Sequence, residues 1–261
     1  MGIYEKALEI QTQVDQIKTN LKLDVTTPLS EVVTTTASGG GNIAPLFISF
    51  YKSNWDMSEF VKQIDTSNMT SMASMFSNIA IGATDISLLD LSHFDVSNVI
   101  SFYQMFSSST GIRRLDLSNW DMSACGNTEQ QLQQVFGGMS NLIELDLSTW
   151  KNFKPQSLYN WFYACSSLER LDLSSFDTSE LKDVRQLFRN CNKLKYLDIR
   201  SWTFDSISSS YAGAYWTSIP STCEIIVKDE AAKTYVLTQN SSFTNIKTAV
   251  ELSDASGGSN D

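Results

Sequence analysis

Charge, histidine and clustered cysteine are the scarce ingredients of this 261-residue chain, and each shortage removes a class of function. Charged residues make up 18% of it, and 19 Lys+Arg face 29 Asp+Glu, for a formal net charge of −10. A nucleic-acid binder needs a basic footprint to neutralise phosphates, so no nucleic-acid partner is expected. The single histidine, His93, leaves the usual proton-transfer and metal-binding toolkit nearly empty. The four cysteines (Cys125, Cys165, Cys191, Cys223) form no C-x-x-C pair. That spacing excludes a dense disulfide framework or a zinc site and fits buried, reduced thiols. No window approaches 18 consecutive apolar residues, so no membrane insertion is expected. Residues 1–6 lack the positive n-region and apolar h-region of a secretory signal, and Lys6 stands where a myristoylation signal wants Ser or Thr. Wholesale disorder is excluded as well. With 42% hydrophobic residues, including 14 Phe, 9 Tyr and 6 Trp, the chain has the material for a core.

What is there is a repeat. Five segments match the template apolar-x-x-Leu-Asp-apolar: Ile86 to Leu91, Ile112 to Leu117, Leu142 to Leu147, Leu168 to Leu173, and Leu194 to Ile199. Their aspartates, Asp90, Asp116, Asp146, Asp172 and Asp198, are 26, 30, 26 and 26 residues apart. The long interval holds the polar stretch Cys125–Glu129, which reads as a loop insertion. An aromatic follows three residues after each template (Phe94, Trp120, Trp150, Phe176, Trp202), and a second recurs at Phe106, Phe136, Phe162 and Phe188. A worn upstream copy keeps Ile64 to Ser67 and Met75-Phe76.

Leu-Asp-Leu-Ser alternates apolar and polar with period two, so it predicts a short strand with its leucines inward. The Asp-x-Ser after the aromatic suits a turn or a helix N-cap. Glu180 to Phe188, with Leu181, Val184, Leu187 and Phe188, has helical spacing. One strand and one short helix per repeat of ~26 residues is the unit of an α/β leucine-rich-repeat solenoid with a parallel sheet. The expected layout is a coiled-coil or anchoring helix (1–24), a flexible Thr/Ser/Gly linker (25–45), the solenoid (46–222), a strand–helix cap (223–250) and a disordered tail (251–261).

Leu115 to Ser123 (LDLSNWDMS) and Leu171 to Ser179 (LDLSSFDTS), with Asp65 to Phe76 supplying a third part, resemble BspA-like leucine-rich-repeat proteins of the LDLSxFDTSxVxxMxxMF subclass. Cys223 to Tyr235 is similar to that family's usual ending, a last strand leading into a closing helix. The resemblance implies bacterial surface proteins acting in adhesion or recognition, with similar modules in phage proteins, and it brings no catalytic residue. Lys151 departs from the pattern, standing where sister repeats carry the turn Asp.

Upstream, Ile3, Ala7, Ile10, Val14, Ile17 and Leu21 form a heptad seam. It reads as a coiled coil that assembles a homotrimer; the alternative is an amphipathic helix packed on the open end of the solenoid. The layout predicts a non-enzymatic virion fibre or decoration protein of a tailed bacteriophage, made in the host cytoplasm. Its helices would join other virion structural proteins, and its heads would meet a bacterial surface protein or glycan. The alternative is a bacterial surface or secreted adhesin. No cofactor and no catalytic or metal-ligating residue is expected. Two candidate binding features emerge. Asp90, Asp116, Asp146, Asp172 and Asp198 form an outward ladder, either a cation- or sugar-binding stripe or acceptors for Ser or Arg of the neighbouring strand (Arg113, Arg114, Arg170, Arg200). Tyr211, Tyr215 and Trp216 are either core under the cap or a glycan platform. His93 reads as a tolerated surface variation.

Overall fold

The computed structural model describes residues 61–62, 64–79, 86–207 and 215–257. The seam from Ile3 to Leu21, the linker and Tyr211 lie outside the described residues.

Each Leu-Asp-Leu segment adds one short strand: β1 (Leu89–Asp90), β2 (Leu115–Asp116), β3 (Glu144–Asp146), β4 (Arg170–Asp172) and β5 (Tyr196–Ile199). The cap contributes β6 (Glu224–Val227) and β7 (Ile246–Thr248). All pairings are parallel, in a two-stranded sheet β1-β2 and a five-stranded sheet β3-β4-β5-β6-β7. The register sets like against like: Leu89 faces Leu115 and Asp90 faces Asp116, while Asp146, Asp172 and Asp198 align in a row. A slip of one residue would turn every leucine outward, so the buried face enforces this register. The result is a parallel β-solenoid of about 5 turns.

The expected helix in each repeat is not formed. Between Ile86 and Ile207 the one helix is α1 (Glu129–Leu132), at the end of the insertion. Elsewhere the return side of each coil is an arch of tight turns. Its residues come in left-handed pairs four apart: Ser74 and Asn78, Gln104 and Ser108, Gln134 and Gly138, Asn160 and Ala164, Gln186 and Asn190. A left-handed residue ends a right-handed helix, and Gln186, at φ 56°, sits inside the segment that looked helical. The backbone donors divide accordingly. Alternate N–H groups close three-residue turns (Met105 to Phe102 O, Ser107 to Gln104 O). Those between reach the next coil (Gln104 to Gln133 O, Phe106 to Val135 O, Ser108 to Gly137 O). The buried positions Leu181, Val184 and Leu187, then Phe188, Cys191 and Leu194, repeat every three residues rather than 3.6.

Two aromatic columns fill the interior. Phe76, Phe106, Phe136, Phe162 and Phe188 stack in sequence with centroids 5.5 to 6.0 Å apart. Trp120, Trp150 and Phe176 form the second. The indoles also donate between coils: Trp120 to Leu91 O, Trp150 to Leu117 O and Trp202 to Leu173 O. Phe176 has no such donor, and in its coil Ser175 Oγ supplies the bond to Leu147 O at 2.7 Å. Cys165 and Cys191 donate weakly to Phe136 O and Phe162 O. Burial pushes the Cys191 thiol up to about 12, so it stays protonated at neutral pH.

The cap closes the last coil. Helix α2 (Glu230–Gln239) starts at Asp229, whose carboxylate accepts the Ala232 N–H at 2.9 Å. Helix α3 (Ala249–Gly257) starts with a capping box, in which Thr248 and Glu251 each accept the other's backbone N–H. It therefore runs past residue 250, where the sequence placed the end of the cap.

Candidate recognition face

Alternation along each strand points the leucines inward and the aspartates out onto the sheet face. Each carboxylate first serves its own coil. Asp90, Asp116, Asp146 and Asp172 accept the N–H of the serine two residues on (Ser92, Ser118, Ser148, Ser174) at 2.8 to 3.0 Å. The donors are thus in the same coil, not on the neighbouring strand as the sequence suggested. At Asp90 the Ser92 hydroxyl and N–H hold the carboxyl below its ordinary value. None of these four makes an ion pair among the described residues. Nor do three His, Cys, Asp or Glu side chains converge as metal ligands among those residues. Asp198 departs from the row: it is fully buried and held by the Arg200 guanidinium, the Arg200 N–H and the Tyr196 hydroxyl.

Beside the aspartates runs a second row, Leu88, Arg114, Glu144, Arg170, Tyr196 and Glu224, with neighbours from Arg114 onward in register. These side chains interact along the row. Arg114 pairs with Glu144 at 3.3 Å, the Arg170 guanidinium lies 3.8 Å over the Tyr196 ring, and Glu224 takes Lys247 at 2.6 Å. Where the next three positions read Leu-Asp-Leu in the first four coils, this one changes chemistry from each coil to the next. Sequence reading did not single it out, although comparing the repeats with one another carries that signal. A groove of about 390 Å³ lies across both rows between the second and third coils.

The remaining candidates sit elsewhere. Tyr215 and Trp216 are fully buried. Trp216 meets Phe188, the last ring of the Phe column, and Phe243, while the Tyr215 hydroxyl lies 3.1 Å from that of Tyr235. Burial drives the Tyr215 phenol well above its ordinary value. A ligand could stack on these rings only by displacing the cap. His93 is exposed and sets Nε2 3.0 Å from Val61 O. On the arch, Arg185 stacks on Tyr159 at 4.5 Å and reaches Glu129 at 3.0 Å, tying the fourth coil to α1 across the third. No sequence signal singled out this clamp, because its members are 56 residues apart.

A family model described as "Mycoplasma protein of unknown function, DUF285" matches residues 46–134 and 127–215, together more than half of the chain. The chain belongs to the DUF285 family. Its match and its parallel solenoid fit a BspA-like repeat protein. No curated protein and no solved structure matches it. The two DUF285 matches overlap at the insertion, so the family unit spans several coils rather than one. Among the described residues, no helix is long and apolar enough to cross a membrane.

Proposed function

We propose that this DUF285 protein is a non-enzymatic recognition protein whose solenoid presents its sheet face to a component of a bacterial surface. One observation carries this reading: an outward row of side chains, Leu88, Arg114, Glu144, Arg170 and the half-buried Tyr196, that changes from each coil to the next beside leucine and aspartate positions that repeat. Frame needs are met by the leucines, the Asp-x-Ser turns and the aromatic columns, so this position is free to carry recognition chemistry.

In the fuller form of the reading, residues 1–24 assemble three chains, and the heads are carried on a tailed-phage particle as a fibre or decoration protein. Three weak heads on one stalk gain about 10²–10⁴ in effective affinity over one. The BspA-like match favours a second setting, a bacterial cell-surface adhesin with the same sheet face in use. Two measurements test the proposal. Native mass spectrometry of the full chain gives a trimer that becomes a monomer on deleting residues 1–24; a monomer before deletion overturns the stalk. Mass spectrometry of purified virions and of proteins released from intact cells finds the chain in one fraction; detection in virions selects the fibre, and detection at the cell surface selects the adhesin.

A further inference from the structure

One step of the sheet differs from the rest. The N–H of the leucine after Asp reaches the next coil's Asp carbonyl at Leu91 to Asp116 (2.8 Å), Leu147 to Asp172 (3.0 Å) and Leu173 to Asp198 (2.8 Å). The corresponding bond from Leu117 to Asp146 is absent, and there the sheet divides into its two- and five-stranded parts, bridged at Arg114 and Glu144 and, beyond the turn, at Asp121 and Lys151. This is also the step set by the 30-residue repeat, whose extra residues form the loop leading into α1 on the opposite side. The arch side keeps its coil-to-coil bonds across this step (Gln134 to Tyr159 O, Phe136 to Trp161 O), while the strand side keeps its register and loses part of its ladder. The groove of about 390 Å³ opens where it does.

The chemistry of the groove is an alternation of donors and acceptors. Asp116 and Asp146 each commit Oδ1 to a serine N–H of their own coil and leave Oδ2 without a partner among the described residues. Arg170 lies beyond them on the Tyr196 ring, and Arg114 is half-exposed and shared with Glu144. Arg114 and Arg170 against Asp116, Glu144 and Asp146 leave the groove with one net negative charge. Ser118 and Thr149 line it as well, and each hydroxyl both donates and accepts. A carboxylate only accepts and a guanidinium only donates, so a ligand spanning both needs groups that do each at short spacing. Adjacent hydroxyls meet that need. A basic peptide would meet Arg114 and Arg170, an acidic one Asp116 and Asp146, and a folded protein needs a patch of about 800 Å² rather than a slot. The volume is at the lower end of small-ligand sites, about 300–1,000 Å³, which suits one or two sugar rings.

From this we infer that the groove between the second and third coils is a carbohydrate subsite, taking one or two units of a neutral, hydroxyl-rich surface glycan that crosses the strands. The inference rests on the recognition reading above and names its ligand class and place.

The test uses the full chain on an array of purified bacterial polysaccharides and on a panel of bacterial strains, before and after periodate, which cleaves adjacent diols. Asp116→Asn with Asp146→Asn keeps an oxygen for the Ser118 and Ser148 N–H groups, so the turns are retained while both charges go. Arg170→Met removes the guanidinium, and Arg189→Ala on the arch is the control. Binding that periodate abolishes, that falls at least about tenfold in D116N/D146N and in R170M, and that R189A retains, is the expected result. Binding that is periodate-sensitive but equal in all variants overturns the groove as the site. Adhesion that survives periodate overturns the ligand class while the recognition reading stands. Wild-type protein that binds no strain and no polysaccharide overturns both.

Discussion

The strand side and the arch side of each coil solve the same stacking problem with opposite backbones. On the strand side, extended residues alternate and pair like with like, and a carboxylate two residues back ties each exit turn (Asp90 to Ser92, Asp172 to Ser174). On the arch side, left-handed residues four apart break the chain into three-residue turns, and alternate N–H groups reach the next coil. Both sides thus place inter-coil hydrogen bonds along the solenoid axis, and both bury one apolar column per coil. The difference is in what each side tolerates: the strand side accepts any exposed residue, while the arch side constrains φ at two positions per coil. Variable chemistry therefore accumulates on the strand side, where it costs the frame least.

The sharpest way to break this comparison is in the two columns. Phe136→Ala, in the middle of the Phe stack, is expected to cost about 3–5 kcal/mol, and Leu145→Ala on the strand side about 2–5 kcal/mol, by chemical denaturation. Similar losses would show that the sides share the load; a small loss at Phe136 would make the arch a passive return. Next comes backbone tolerance. Gln186→Val forces a β-branched residue at φ 56° and is expected to cost about 1–3 kcal/mol, whereas Gln186→Gly relieves the position and Glu144→Val on a strand stays within about 0.5 kcal/mol. Trp150→Phe leaves Leu117 O without its indole donor and is expected to cost about 1–3 kcal/mol. Glu129→Gln cuts the exposed ion pair to Arg185 while leaving the Arg185–Asp183 pairing in place, and is worth at most about 1 kcal/mol, less at high salt.

The smallest effect expected is on acidification. Ser67 N–H and hydroxyl at Asp65, the Ser92 hydroxyl and N–H at Asp90, Asn152 and Ser123 at Asp121, and Ser179 at Asp177 all hold these carboxyls below their ordinary values. Their folded-state values are depressed, so their contribution is complete above an unfolded value of about 4 and is lost as pH falls through the lower folded values. Melting temperature followed across this range should fall only below about pH 4; a loss between pH 5 and 7 would point to a group other than these turns.

The repeat, its register and the inward leucines were legible because a strand's period of two is written directly in Leu-Asp-Leu-Ser. The arch was misread as helix, since Leu181, Val184, Leu187 and Phe188 satisfy a helical template over so short a stretch. The distinguishing sign was present: two runs spaced by three, Leu181-Val184-Leu187 and Phe188-Cys191-Leu194, meet at adjacent residues, as corners between turns do. The Asp row was visible, but its partners were placed on the neighbouring strand, because sequence separation alone does not say that a serine two residues on is nearer than an arginine 24 away. The groove was not legible at all.

What the sequence by itself determined is the local part: short strands, Asp-x-Ser turns, two aromatic positions per coil and one overlong repeat. Each follows from interactions within a few residues or from patterning repeated coil after coil. Only the tertiary structure decided where the overlong repeat puts its strain, which coil's carbonyl each indole and arch N–H reaches, and which exposed side chains share one groove. Those outcomes depend on stacking, where 26 to 30 residues of chain separate groups that end about 5 Å apart.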